Sequence, residues 1–299
     1  MSAKLSVVIN TLNEADSLPR ALTSVKDIAD EIVVIDMESD DESRKIAEKF
    51  GAKVFTHKRV SYVEPARNFA IEKATGDWIL VLDVDEEIPS SLGKQIKEIV
   101  NTGAADYVRI PRKNLIFGHW IEHAHWWPDY NVRLFKKGAV SWTEVIHTVP
   151  VVKGRGMDME IKEENAIIHH HYDTVEKFIE HMNRYTTVQA ELKVKNGYKF
   201  TWRDMLVRPA SEFLSRYFGD EGYKDGAFGL ALSLLQGFSE LAFYLKIWQA
   251  EKFKEQNVDL PEVISEMRER EKDLHYWQGN SMYHESGKLK DRVIRKLRI

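Results

Sequence analysis

Apolar residues in the first 110 positions come in short runs separated by longer amphipathic stretches. "KLSVVIN" (4–10), "EIVVID" (31–36), "AKVFT" (52–56), "DWILVLD" (77–83) and "ADYVRI" (105–110) read as strands. Between them, 16–27, 41–50, 64–74 and 89–101 carry apolar positions at helical spacing. Asp40 and Asp41 open the second helix, where carboxylates suit the helix dipole, and Gly51 stands just past its end. This strand–helix alternation predicts an α/β fold with a parallel sheet covered on both faces.

From 111 to 172 the pattern breaks into short strands and loops rich in Trp, His and Pro, including "FGHWIEHAHWWPDYNVRLF". Aromatic faces with polar rims are the composition of pocket walls. Residues 173–197 then read as a helix, with Asp173 as its cap, Glu176 three positions on, and Val175, Phe178, Ile179, Met182 and Tyr185 on one face. Asn196 and Gly197 end it. The remainder is helical, with a charged stretch at 250–273, which divides the chain into an α/β domain (1–172) and a helical region (173–299).

The apolar run 226–248 has the length of a bilayer span but carries Ser233, Gln236, Ser239 and Glu240. The cost of an unpaired Glu in lipid favours a buried or interfacial helix pair over a membrane-surface helix or a span. At the C-terminus, "KLKDRVIRKLRI" puts Leu289, Val293 and Leu297 on one stripe among six basic residues from Lys288 to Arg298. That pattern suits an anionic membrane surface, and packing on a partner subunit of a homo-oligomer is the alternative.

A net charge of -4 gives no general electrostatic reason to bind nucleic acid, so none is expected as a partner. With no cysteine, disulfides, thiolate metal sites and cysteine nucleophiles are excluded. The N-terminal segment lacks the pattern of a signal peptide, and the expected location is cytoplasmic.

The chemistry gathers at strand ends. In an open parallel sheet, ligands sit outside the carboxyl ends of the strands. Thr11, Asn13 and Glu14 follow the first strand, Asp36 closes the second, and Asp83 and Asp85 close the fourth, followed by Glu86 and Glu87. Turn and capping work accounts for Asn13, Glu14 and Asp36 taken singly. Together the set fits a nucleotide-sugar pocket, with Asp36 accepting from a uracil imide and Asn13 and Glu14 holding base or ribose. Four carboxylates at one strand tip repel unless positive charge sits among them, and Mg²⁺ or Mn²⁺ held by Asp83 and Asp85 would supply it while bridging a diphosphate.

The segments "VVINTLNEADSLPRALTSV", "DEIVVIDMESDDES" and "PARNFAIEKATGDWILVLDVDEE" resemble the family 2 glycosyltransferases of GT-A fold, in which an Asn-Glu pair, a strand-end Asp and an Asp-x-Asp motif recur in this order. "FGHWIEHAHWWPDYNVRLFKKG", "VIHTVP", "HHHYDTVEKFIEHMNRYTTVQAE" and the segment from Arg208 to Gln249 are similar to the branch containing lipopolysaccharide core beta-1,4-glucosyltransferases. The resemblance implies a GT-A (Rossmann-like) domain with a helical C-terminal extension. It further implies an inverting, metal-aided transfer of a hexose, glucose in that branch, from a UDP-sugar to a lipid-linked or core-oligosaccharide acceptor, at the cytoplasmic face of the inner membrane. Carried over, Thr11, Asn13, Glu14, Asp36 and Arg67 would line the nucleotide, and Asp83 and Asp85 the diphosphate and metal. Relatives often have an acidic residue directly after the His of "VIHT", where this chain has Thr148.

Inversion needs in-line attack by an acceptor hydroxyl and a carboxylate to take its proton. Asp129 in "WWPDY" is the first candidate and Glu144 the second; a turn start after Pro128 is the structural alternative for Asp129. His147 is the candidate third metal ligand. Of His169, His170 and His171, only the outer two share a strand face, and His119 and His123 lie one turn apart if their segment is helical. Arg67 would pair with phosphate or with a neighbour on its helix. A sugar nucleotidyltransferase wants a Gly-rich basic loop after the first strand, which "TLNEADS" does not supply; a non-catalytic nucleotide-sugar-binding module is the other reading.

Overall fold

The computed structural model describes residues 3–60, 64–142 and 150–297. Glu144 and His147 lie outside the described residues. The chain forms two compact units, residues 1–115 with 128–171, and 116–127 with 172–299.

The first unit is built on β1 (Leu5–Thr11), β2 (Glu31–Asp36), β3 (Lys53–Thr56) and β4 (Trp78–Asp83), connected by α1 (Leu18–Val25), α2 (Ser43–Lys49) and α3 (Glu64–Lys73). These four strands pair in parallel, as the sequence pattern predicts. After the short β5 (Glu86–Glu87) and α4 (Ser90–Thr102), β6 (Tyr107–Ile116) runs on past the expected end at 110. Pro111 does not stop it, because a proline removes one donor only and the ladder continues through Pro111 opposite Tyr130 and Arg112 opposite Asp129. The remaining strands are β7 (His119–Trp120), β8 (Asp129–Lys136), β9 (Val140–Ser141), β10 (Val151–Val152), β11 (Gly156–Asp158) and β12 (Ile167–Tyr172). The main path across the sheet is β3-β2-β1-β4-β8-β6-β12-β5.

Alternation of side chains fills both faces. Leu5, Val7, Ile9, Leu80 and Leu82 pack with Leu18, Leu22, Leu92 and Ile96 on one side. Val8, Val33, Ile35, Ile79, Val81 and Phe135 pack with Ala70, Ile71 and Trp142 on the other.

The second unit contains α5 (Val175–Lys195), α6 (Asp204–Leu214), α7 (Gly226–Ala250), α8 (Leu260–Ser286) and α9 (Leu289–Leu297). Thr174, not Asp173, caps α5: its hydroxyl accepts from the Lys177 amide at 3.2 Å, while Asp173 pairs with the Lys177 ammonium at 2.9 Å. The expected helix pair at 226–248 is one unbroken helix. Gly229, Leu232, Ser233 and Gly237 form its buried stripe, and a Cβ on Gly229 would strike the Gly222 carbonyl, so close approach requires glycine there. Its opposite side leaves Leu234 54% and Phe238 49% exposed. By length and composition α7 could cross a membrane, a property it shares with core helices of soluble proteins. His119 lies on β7, and the segment around His123 is a bend, so no helix aligns the two. In α9, Ile294 and Arg295 pack on Gly279 of α8, while Val293 is exposed.

At the amino ends of the parallel strands, Glu31 accepts from Ser6 Oγ (2.5 Å), Lys53 Nζ (2.6 Å), Thr75 N (2.7 Å) and Thr75 Oγ1 (3.0 Å), tying β1, β2, β3 and the turn before β4 together. Burial alone would raise its carboxyl, but the Lys53 ammonium and the Ser6 and Thr75 donors outweigh burial and lower it to about 2. A depressed folded pKa stabilises above the unfolded value and loses that contribution as pH falls through the folded one. Glu31→Gln is therefore expected to cost about 1–2 kcal/mol at neutral pH, a difference that shrinks between about pH 4.5 and pH 2, read by denaturant unfolding across that range.

Candidate active site

The parallel strands put their carboxyl ends side by side. Thr11 pairs with Asp36, and Asn10 with Asp83, so β1, β2 and β4 deliver their end residues to one rim. Thr11 is buried and its hydroxyl has no hydrogen-bond partner among the described residues. Asp36 is also buried; one carboxylate oxygen accepts from the Ser39 amide at 3.1 Å, and the other faces Arg44 at 3.8 Å.

Asn13 and Glu14 do loop work in the structure. Asn13 adopts φ 57°, a left-handed conformation that Asn tolerates better than most residues, and its side chain accepts from the Asp40 amide at 2.7 Å. Its own amide donates to Ser39 Oγ, and that of Glu14 to Ser43 Oγ. The β1–α1 and β2–α2 loops are thereby joined into one rim.

The Asp-x-Asp motif divides. Asp83 follows Ile79 and Val81 on the sheet face that packs against α3, which brings it to arginines. Arg67 of α3 donates to both its oxygens, at 2.7 and 2.9 Å, and Arg133 of β8 donates to Oδ2 at 2.6 Å. Burial would raise the Asp83 carboxyl, but Arg133 and Arg67 hold it far below the usual range. The expectation that Asp83 is a metal ligand thus meets a carboxylate whose two oxygens already accept from guanidinium groups. Arg67 also lies over the Trp142 ring, 5.7 Å from its centroid, and Asn68 fixes the Trp142 backbone through two hydrogen bonds.

Glu86 is fully buried and lies between two further arginine contacts. Its Oε1 accepts from Arg133 at 2.5 Å and from Arg112 at 3.4 Å, and its Oε2 accepts from the Asp83 amide at 3.0 Å. Burial opposes the charge on Arg133, yet Asp83 and Glu86 raise its pKa above the ordinary guanidinium value. The positive charge among the strand-tip carboxylates therefore comes from the protein itself, at least for Asp83 and Glu86. Arg112 and Arg133 were not anticipated from sequence, and Glu86 was counted there only among the crowded carboxylates, although an arginine between Val132 and Leu134 in an apolar strand is a recognisable signal of a buried ion pair.

Asp129 is the first residue of β8 rather than part of a turn. Arg112 donates to its Oδ2 through Nε at 2.8 Å and lies within 2.6 Å through its terminal nitrogen, and Asn114 Nδ2 donates to the same oxygen at 3.3 Å. Burial raises the Asp129 carboxyl, but Arg112 and Asn114 lower it below the usual range overall, keeping it ionised at neutral pH.

Asp85 goes to histidines instead. β5 pairs antiparallel with β12, placing Glu86 opposite His169. Asp85 Oδ2 lies 3.4 Å from His169 Nε2, and the His169 and His171 rings are 4.3 Å apart. One ligand atom from each of Asp85, His169 and His171 lies within 4.8 Å of the others. One carboxylate and two imidazoles with convergent donor atoms fit a divalent transition-metal ion such as Mn²⁺. His170 points differently, its Nε2 standing 3.3 Å from Glu87 Oε2.

The profile described as glycosyl transferase family 2 matches residues 6–161, just over half of the chain. An uncharacterized glycosyltransferase of Rickettsia bellii is 32% identical over 245 residues, covering 75% of this chain and 82% of its own. The lipopolysaccharide core biosynthesis glycosyltransferase LpsC of Rhizobium meliloti is 23% identical over 265 residues, covering 85% and 96%. Among solved structures, S. aureus TarS 1-349 in complex with UDP aligns at 15% identity and a TM-score of 0.46, over 86% of this chain and 94% of that one.

The buried pair yields a direct expectation. Arg133→Met removes the nearer partner of the buried Glu86, leaving it only the 3.4 Å contact to Arg112, and should destabilise the protein by about 3–5 kcal/mol in denaturant unfolding. Adding Glu86→Gln to that variant should recover a large part of the loss.

Proposed function

This chain belongs to glycosyl transferase family 2, and from that premise we propose that it is an inverting hexosyltransferase that moves a sugar, glucose in the first instance, from a UDP-sugar to a lipid-linked or lipopolysaccharide-core saccharide. The observation that carries the reading is the convergence of Asp85, His169 and His171 beside the carboxyl ends of the parallel strands, where a sugar nucleotide belongs in such a sheet. A divalent cation held by these three would neutralise charge developing on the departing diphosphate. The two imidazoles favour Mn²⁺ over Mg²⁺, which prefers oxygen ligands.

Each remaining residue has a role on this reading. The unpartnered Thr11 hydroxyl and the buried Asp36 carboxylate receive the nucleoside, with Asp36 accepting the uracil N–H. Asn13 and Glu14 hold the loop that surrounds it. Arg67 and Asp83 form a charged pair at the diphosphate end, where the guanidinium exchanges part of its bonding from Asp83 to phosphate. Asp129, kept ionised by Arg112, takes the proton of the attacking hydroxyl; Glu144 is the second choice, and His147 remains a candidate additional ligand. The Rhizobium relative supports the lipopolysaccharide-core side of the proposal by its name. A glycolipid acceptor places the enzyme on the cytoplasmic face of the inner membrane, with the exposed Val293 and the basic residues of α9 as the contact. A non-catalytic nucleotide-sugar-binding module is the competing reading.

Calorimetric titration of UDP with Mn²⁺, with chelator, and on Asp85→Ala tests the donor site. Micromolar binding that weakens on the order of a hundredfold with chelator or with Asp85→Ala is expected. No UDP binding under any condition sinks the donor assignment. Asp129→Asn should lower kcat by about 10²–10⁴-fold in a sugar-transfer assay, and an unchanged kcat removes Asp129 as base. UDP binding without transfer or donor hydrolysis by the unaltered protein would favour the binding module.

A further inference from the structure

Asn114 is 1% exposed and sits on β6 between β8, which carries Asp129, and β12, which carries His169. Two residues from Arg112, it shares that side chain's face of the strand. Its amide touches both neighbours: Nδ2 lies 3.3 Å from Asp129 Oδ2, and Oδ1 lies 2.6 Å from His169 Nδ1.

The direction of these hydrogen bonds is fixed by chemistry. An ionised carboxylate only accepts, so Asp129 requires the donor end of the Asn114 amide. The amide oxygen is then turned to His169, where it can only accept, and His169 must carry its proton on Nδ1. In the neutral ring Nε2 is left with its lone pair, directed at Asp85 Oδ2 3.4 Å away. Two lone pairs facing at that distance are stable with a cation between them. His169 is 4% exposed, so bulk water offers little alternative.

We propose that Asn114 is a positioning residue that locks His169 in the Nδ1–H tautomer and so presents Nε2, with Asp85 and His171, to a divalent cation. The inference rests on the metal reading of the preceding subsection and deepens it. It makes Asp129 more than a base: its negative charge, relayed through one amide, sets which nitrogen of a metal ligand is open. An amide is the side chain suited to this place, because it offers a donor and an acceptor at once, whereas a carboxylate or an aliphatic group lacks one or both.

Mn²⁺ titration followed by electron paramagnetic resonance, together with long-range ¹H–¹⁵N spectra of the histidine rings, tests the inference without any turnover assay. The unaltered protein should show His169 as the Nδ1–H tautomer and take up Mn²⁺. Asn114→Leu, of similar size and without hydrogen bonds, should lose that tautomer signature and bind Mn²⁺ about 10–100-fold more weakly. Asn114→Asp keeps an acceptor for Nδ1–H but sets a second carboxylate beside Asp129, so it should retain the Nδ1–H tautomer signature that Asn114→Leu loses, which separates hydrogen bonding to His169 from folding damage. An Nε2–H tautomer in the unaltered protein, Mn²⁺ uptake by Asn114→Leu equal to it, or loss of the Nδ1–H signature in Asn114→Asp overturns the inference while leaving the metal site in place. Failure of the unaltered protein to take up Mn²⁺, with or without UDP, overturns the metal reading itself and the inference with it.

Discussion

The contact on which the rest of the site depends is the buried pair between Arg133 and Glu86. Glu86 is fully excluded from water, and Arg133 nearly so. Neither charge is tolerable alone in such a place, so the two strands that carry them are held together by the penalty of separation as much as by attraction. Arg133 also reaches Asp83, and Glu86 also receives Arg112, which in turn holds Asp129. The tip of β4, the start of β8 and the middle of β6 are thus one electrostatic unit. Asn114 and His169 extend it to Asp85, so the two aspartates of the motif are joined by a continuous path of polar contacts.

This arrangement changes how the crowd of carboxylates is understood. Repulsion among Asp83, Asp85, Glu86 and Glu87 is relieved by distributing them: the first faces α3, the third is enclosed by arginines, and the second and fourth stand beside His169 and His170. A strand tip changes the side it presents at each residue, and here successive residues meet different partners. Among the described residues, Asp85 is the one of the four left with a set of donors that suits a metal.

Much of the fold was legible from the order of apolar and polar residues. The four parallel strands and the helices between them fall within two residues of their expected bounds, because a strand buried on both faces has few other solutions. The site was legible at its strand ends, where Thr11, Asp36 and Asp83 do meet at one rim. What periodicity cannot give is pairing between distant segments. Arg133 lies 50 residues from Asp83, and Asn114 lies 55 from His169, and nothing local announces that they touch. The α5 cap was misplaced by one residue because Asp173 and Thr174 are both good capping types, and the choice falls to backbone angle. The expected helix pair at 226–248 is instead one helix, in which Gly229 and Gly237 serve close packing.

The two-residue bridge between β5 and β12 also bears on how this protein can vary over generations. Glu86 stands opposite His169, and Glu87 opposite Ile168, so the count of residues from Asp83 to Glu86 is set by the register of the sheet. Exchanging one side chain there alters a contact, but inserting or deleting a single residue would turn the buried glutamate outward and carry Asp85 away from the imidazoles together. The segment is therefore far more tolerant of spelling changes than of changes in length, and the spacing of its acidic motif is dictated by the pleat before any ligand is considered.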